Sequence, residues 1–128
     1  MKLLLDTHTL LWMLDGAEEL SARAGRVIAD AANTKFVSVA SLWEIAIKVS
    51  TRKLTLRQPL ADLVAELRST GMIHVLPIAD AHLVGVSTLP FHHRDPFDRL
   101  IIAQALADGM AVVGNDAAFD DYGVKRVW

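Results

Sequence analysis

Cysteine is absent from this chain, which excludes a disulfide framework, a thiolate metal site and a cysteine nucleophile. Long apolar runs are absent too. Hydrophobic residues make up 52% of the sequence, yet no stretch approaches the roughly 18 consecutive residues that cross a bilayer. One lysine and three leucines before Asp6 are too few for the core of a secretory signal. A strong excess of one charge is also missing. The formal net charge of -2 argues against holding nucleic acid mainly through a basic surface, which needs many Lys and Arg contacts to phosphate. These absences set the default expectation: a soluble, well-buried protein in the cytoplasm, with no membrane partner.

The 128 residues contain no repeat, linker or low-complexity tract, and they fit one domain spanning 1–128. Residues 2–5 read as a short buried strand. Asp6-Thr7-His8-Thr9 then supplies helix-starting chemistry before Leu10, Leu11, Trp12 and Leu14. Apolar spacing at Ala24, Val27, Ile28 and Ala31 predicts an amphipathic helix over 21–32, ended by Asn33. Residues 36–39 read as a second strand, running into a helix that reaches about Arg52. Pro59 precedes a fourth helical pattern, stopped by Gly71, and 73–76 is another short strand. A helix over 79–86 leads into a loop over 89–94. Asp95-Pro96 then places a capping acid before a proline at the first helical position, and 97–107 is a nearly continuous apolar helix. After the stop at Gly109 come a strand over 110–113, a short helix over 117–119 and a last strand over 125–128. This alternation predicts an α/β fold of three layers, a mainly parallel central sheet flanked by helices. Function in such sheets belongs at the carboxyl ends of the strands.

Four acids fall at that edge, and each has an ordinary alternative. Asp6 ends the first strand and can be a helix cap. Glu44 completes Ser41-x-x-Glu44, a capping-box pattern, and stands four residues before Lys48 for an ion pair. Asp98 lies in the first turn of the Pro96 helix, above Ile101, Ile102 and Ala105, where a carboxylate needs a partner. Asp116 follows the strand at 110–113 and can be a cap as well. Taken together, the four converge in a parallel sheet. Close carboxylates repel unless a cation or a shifted proton compensates. Hard Mg²⁺ or Mn²⁺ suits an all-oxygen site and bridges to phosphate, which points to phosphoryl chemistry by a metal-activated water.

Three segments carry a family resemblance: Leu4-Leu5-Asp6-Thr7-His8, residues 38–48 around Ser41-Leu42-Trp43-Glu44, and residues 92–105 around Asp95-Pro96-Phe97-Asp98-Arg99. Over essentially its whole length the chain resembles PIN-domain ribonucleases, and among them the VapC toxins of bacterial toxin–antitoxin pairs. By position, the family's acids fall on Asp6, Glu44, Asp98 and Asp116. The resemblance implies an Mg²⁺- or Mn²⁺-dependent endoribonuclease acting on RNA, a homodimer, and inhibition by a cognate VapB-type antitoxin. The sequence departs from the pattern at Gly114, where such proteins often carry Thr or Ser, and this makes Asp116 the least secure of the four.

Other residues remain open between a site role and an ordinary one. Thr7 is either a contact to a metal-bound water or phosphate, or an exposed first-turn residue. His92, His93, Arg94 and Arg99 are either phosphate contacts or loop, with Arg99 balancing nearby acids. The basic stretch Lys48, Arg52, Lys53 and Arg57 is either a solvated helix end or a guide for RNA or a partner. Trp12 and Trp43 read as core or dimer-interface residues. His8, His74 and His82 show no zinc-ligand spacing. The competing function is a catalytically weak PIN-like module that binds RNA or protein.

Overall fold

A computed structural model describes residues 1–128. It is an α/β fold with five parallel strands in the order β3-β2-β1-β4-β5. In chain order these are β1 (Lys2–Leu5), β2 (Thr34–Ser38), β3 (His74–Leu76), β4 (Ala111–Val113) and β5 (Arg126–Val127). The helices are α1 (Thr7–Asp15), α2 (Ala22–Ala29), α3 (Val39–Ser50), α4 (Leu60–Thr70), α5 (Asp80–Thr88) and α6 (Pro96–Asp108), with a 3₁₀ helix at Ala117–Tyr122. No helix is long and apolar enough to cross a membrane.

Strand β1 is central because its three leucines can be buried from both sides. Successive side chains of a strand point to opposite faces. Leu3 and Leu5 pack with Leu10, Ile28, Leu42, Ile45, Leu63 and Leu67 from α1 to α4. Leu4 packs on the other face with Ile101, Ile102, Val112 and Phe119. Each fully buried leucine contributes about 1.5–3 kcal/mol relative to exposure, so β1 ties the two helical layers together.

The chain fills β2 and β3 on one side of β1 and then returns to place β4 on the other. The order therefore reverses between β1 and β4, and their carboxyl ends open the crevice that ligands use in such sheets. Two bonds lock this junction. The carbonyl of Val113 accepts from Asp6 N–H at 3.1 Å and from the Thr9 hydroxyl at 2.8 Å.

Several boundaries differ from expectation. Helix α3 begins at Val39, capped by the Ser38 hydroxyl, which accepts from Ala40 N–H at 3.0 Å. Ser41 and Glu44 are thus inside the helix, not a capping box at its start. Helix α2 ends at Ala29, short of residue 32, and the segment after β4 forms a longer helical turn than 117–119. The stops at Gly71 and Gly109 are as expected, with φ of 68° and 65°, the left-handed region that glycine enters freely.

Candidate active site

The four acids meet in one polar cleft at the carboxyl edge of the sheet. It measures about 330 Å³ and is lined by Asp6, Glu44, Asp98 and Asp116 together with Thr7, His8, Lys48, Asp95 and Asn115. Each acid arrives by a different local device.

Asp6 is the N-cap of α1, its Oδ1 accepting from Thr9 N–H at 2.8 Å. Its Oδ2 lies against Gly114 across the β1/β4 junction. A β-carbon at position 114 would overlap Oδ2 and stand 2.9 Å from the Asp6 Cγ. Glycine is what leaves room for this carboxylate. The departure noted in the sequence therefore has a packing reason at Asp6, which the one-dimensional reading tied to Asp116 instead. Burial raises the pKa of Asp6, with Asp116 adding to the shift and the Thr9 hydrogen bonds and His8 opposing it.

Glu44 enters with both oxygens engaged. Oε1 lies 2.7 Å from the Thr7 hydroxyl, and Oε2 takes the Lys48 ammonium at 2.8 Å. The Thr7 oxygen is also 2.9 Å from Ser41 Oγ. With one proton to give, Thr7 donates to the carboxylate and accepts from Ser41. Thr7 is buried, so the exposed first-turn alternative fails; its hydroxyl ties α1 to α3.

Asp116 caps the 3₁₀ helix through Oδ1, which accepts from Ala118 N–H at 2.9 Å. Asp95 is the cap of α6, accepting from the N–H groups of Phe97 and Asp98 at 2.9 and 3.0 Å. Asp98 is left without a capping role. Its side chain is 23% exposed, and His93 Nε2 stands 3.5 Å from its Oδ2. Burial, then repulsion from Asp95, Asp6, Glu44 and Asp116, pushes its pKa up to about 7.

Two further expectations meet the geometry. Arg99 does not balance the acids: it is buried, donating to the carbonyls of Pro90 and Leu89 at 2.8 and 3.0 Å, with Phe91 stacked 3.8 Å from its guanidinium. Trp43 is 61% exposed rather than core, edge-on to Phe97 at 5.3 Å. The Thr9 bond to Val113, the Ser41 bond to Thr7, where the sequence offered only a capping box, and the His93 contact with Asp98 went unread in the sequence. Thr9 alone had a signal, its place three residues after a capping acid.

The donor set is all oxygen and mutually repelling, the chemistry that a hard divalent cation answers. No three acidic or histidine side chains converge on a single point as a closed cage. Gathering them around one ion takes rotation of short side chains within the cleft. Asp6, held by its cap and by the space at Gly114, is the fixed member.

A PIN domain model matches residues 3–125. The chain belongs to the PIN domain family. Solved structures similar to this PIN domain include VapBC2 from Rickettsia felis bound to a promoter DNA fragment, with a TM-score of 0.71 at 15% identity. That match covers 98% of this chain and 97% of the other. DNA-bound VapBC from Salmonella typhimurium gives 0.68 at 18% identity, covering 98% and 96%. VapBC-1 from nontypeable Haemophilus influenzae gives 0.68 at 15%, also covering 98% and 96%. Comparison with curated proteins gave no match. At these identities the structural likeness establishes the fold.

The crowded acid has a consequence for stability. Because Asp98 holds its proton to about pH 7 in the fold against 3.8 ordinarily, the folded protein binds more protons than the unfolded chain in that window. Stability of the metal-free protein therefore falls as pH rises through it, and levels off above. Asp98→Asn removes this loss: denaturant unfolding should show the variant more stable by about 1–2 kcal/mol above pH 7, after allowance for solvent screening, and equal near pH 3.5. Parallel pH profiles would show that the acids do not crowd one another.

Proposed function

We propose that this PIN domain is a divalent-metal-dependent endoribonuclease of the VapC type, the toxin of a toxin–antitoxin pair in the cytoplasm. The observation that carries the reading is the cleft itself, where four carboxylates share one edge and where burial, with repulsion from the other acids added, pushes the Asp98 pKa up to about 7.

Asp6, Asp98 and Asp116 would hold the cation, each presenting at least one oxygen without a hydrogen bond from a protein side chain. Glu44, already bonded to Thr7 and Lys48, completes the acidic wall. When bound there, Mg²⁺ or Mn²⁺ supplies Lewis-acid polarisation of a phosphodiester and a lowered pKa for an attacking water. The chain's residues supply position. The caps at Thr9 and Ala118 fix the rotamers of Asp6 and Asp116. Lys48 lines the same cleft and offers a cation to an RNA phosphate, at the cost of loosening its pair with Glu44. The one hydroxyl lining the cleft, that of Thr7, is buried and held between Glu44 and Ser41 as a tie between α1 and α3, so water is the attacking group in this reading.

Two partners belong to the proposal. The similar structures are of VapBC complexes, which supports an antitoxin partner for this chain. Between α1, α2 and α4 lies a groove of about 270 Å³ lined by Met13, Leu14, Ile28, Leu63, Leu67 and Ile73, suited to an apolar segment of such a protein. The second partner is another copy of the chain. Trp43 and Ile47 on α3 are exposed beside Phe97, an apolar strip of the kind that marks an interface.

Purified protein should cut single-stranded RNA with Mg²⁺ or Mn²⁺, stop in chelator, and lose at least 100-fold in rate on Asp6→Asn, a loss of about 3 kcal/mol or more in barrier lowering. Cutting unaffected by chelator would overturn the reading; Mn²⁺ failing to bind in titration would favour the non-catalytic module. By sedimentation the chain should be a dimer that Trp43→Lys converts to monomer. A wild-type monomer would remove the homodimer from the proposal.

A further inference from the structure

The loop before α6 is built around one phenol, and that phenol decides where a histidine carries its proton. Tyr122 is buried, and its oxygen receives the backbone N–H groups of His92 and His93 at 3.2 and 3.0 Å. Arg99 Nη1 approaches the same oxygen at 3.4 Å. A phenol oxygen has two lone pairs and one proton. With the lone pairs taken, the only remaining bond at that oxygen is the one it donates, and the nearest acceptor is His93 Nδ1 at 2.7 Å. The carbonyl of His93, at 3.4 Å, is the poorer alternative. Nδ1 is therefore the acceptor in the neutral ring, and the ring proton sits on Nε2.

That places a buried N–H where a donor is costly to leave alone. Nε2 is out of solvent and has no aligned hydrogen-bond partner; the carboxylate of Asp98, 3.5 Å away, is its charged neighbour. An unsatisfied buried donor is costly, and the Asp98 carboxylate is the acceptor placed nearest to it. Phe119 flanks the ring, 6.4 Å between centroids, and helps to hold its plane.

We propose that His93 is a positioning residue for Asp98: Tyr122 fixes its tautomer, and its Nε2–H orients the Asp98 carboxylate for cation binding. This deepens the proposed function and rests on Asp98 being a ligand. A histidine N–H on a ligating carboxylate acts through the ligand's orientation, and loss of such an outer contact typically weakens metal affinity 10- to 100-fold.

The test uses the metal-free protein and Mn²⁺ alone. Nitrogen-detected NMR of the imidazole should show the His93 proton on Nε2, and Tyr122→Phe should release it to both tautomers. In Mn²⁺ titrations followed by electron paramagnetic resonance, His93→Asn, which keeps a group at the Nδ1 position but cannot reach Asp98, should weaken binding roughly tenfold. His93→Gln, whose amide nitrogen falls near the Nε2 position, should recover most of it. Thermal unfolding of both should match within a few degrees, which separates positioning from folding. A proton on Nδ1 in the wild type, or equal Mn²⁺ affinity in wild type and His93→Asn, would overturn the inference while leaving the metal reading intact. A wild type that binds no Mn²⁺ would overturn both.

Discussion

Repulsion between carboxylates at one edge of a parallel sheet is the constraint on which the rest of this molecule depends. A parallel sheet delivers every strand's carboxyl end to the same side, and here Asp6, Glu44, Asp98 and Asp116 all arrive there. Left alone such a group destabilises the fold, and at Asp98 burial together with this repulsion pushes the pKa up. The structure responds with compensation at each member but one. Asp6 and Asp116 are set against helix N-termini, Glu44 against Lys48 and Thr7. Asp98 has only the misaligned His93. In the proposed reading, a divalent cation is what offsets this residual imbalance.

The hydrophobic architecture exists to hold that edge in register. Leu3, Leu4 and Leu5 bury alternately into the two helical layers, so a one-residue slip would turn every side chain of β1 to the wrong face. The Val113 carbonyl, accepting from both Asp6 and Thr9, fixes where β1 stops against β4. The absence of a side chain at Gly114 then lets the Asp6 carboxylate lie flat across the junction. Packing, backbone bonding and one missing β-carbon thus converge on a single carboxyl group.

Much of this was legible in one dimension because it is local. Asp95-Pro96 announces the start of α6, Gly71 and Gly109 announce helix ends, and the leucine run at 3–5 announces a strand covered on both faces. The convergence of the four acids followed from topology, since strands that alternate with helices run parallel. What stayed hidden depends on partners far along the chain. Thr7 finds Glu44 thirty-seven positions away and Thr9 finds Val113 at a separation of 104. The Ser41-x-x-Glu44 pattern misled because Ser38 caps the helix three residues earlier, which puts both side chains inside α3 facing Thr7. Arg99 looked like a counter-charge or a phosphate contact, yet its guanidinium donates to the carbonyls of Leu89 and Pro90 in the loop before α6. For Trp43 the sequence left core and dimer interface open, and only the placement of α3 beside α6 shows its face to be exposed.

The account stands on the claim that this cleft is a divalent-cation site. A crystal grown with Mn²⁺ and measured by anomalous scattering tests it most directly. The expected result is a peak between the carboxylates of Asp6 and Asp98, at oxygen distances of about 2.1–2.3 Å. A well-ordered structure with no peak in the cleft at saturating Mn²⁺ would contradict it.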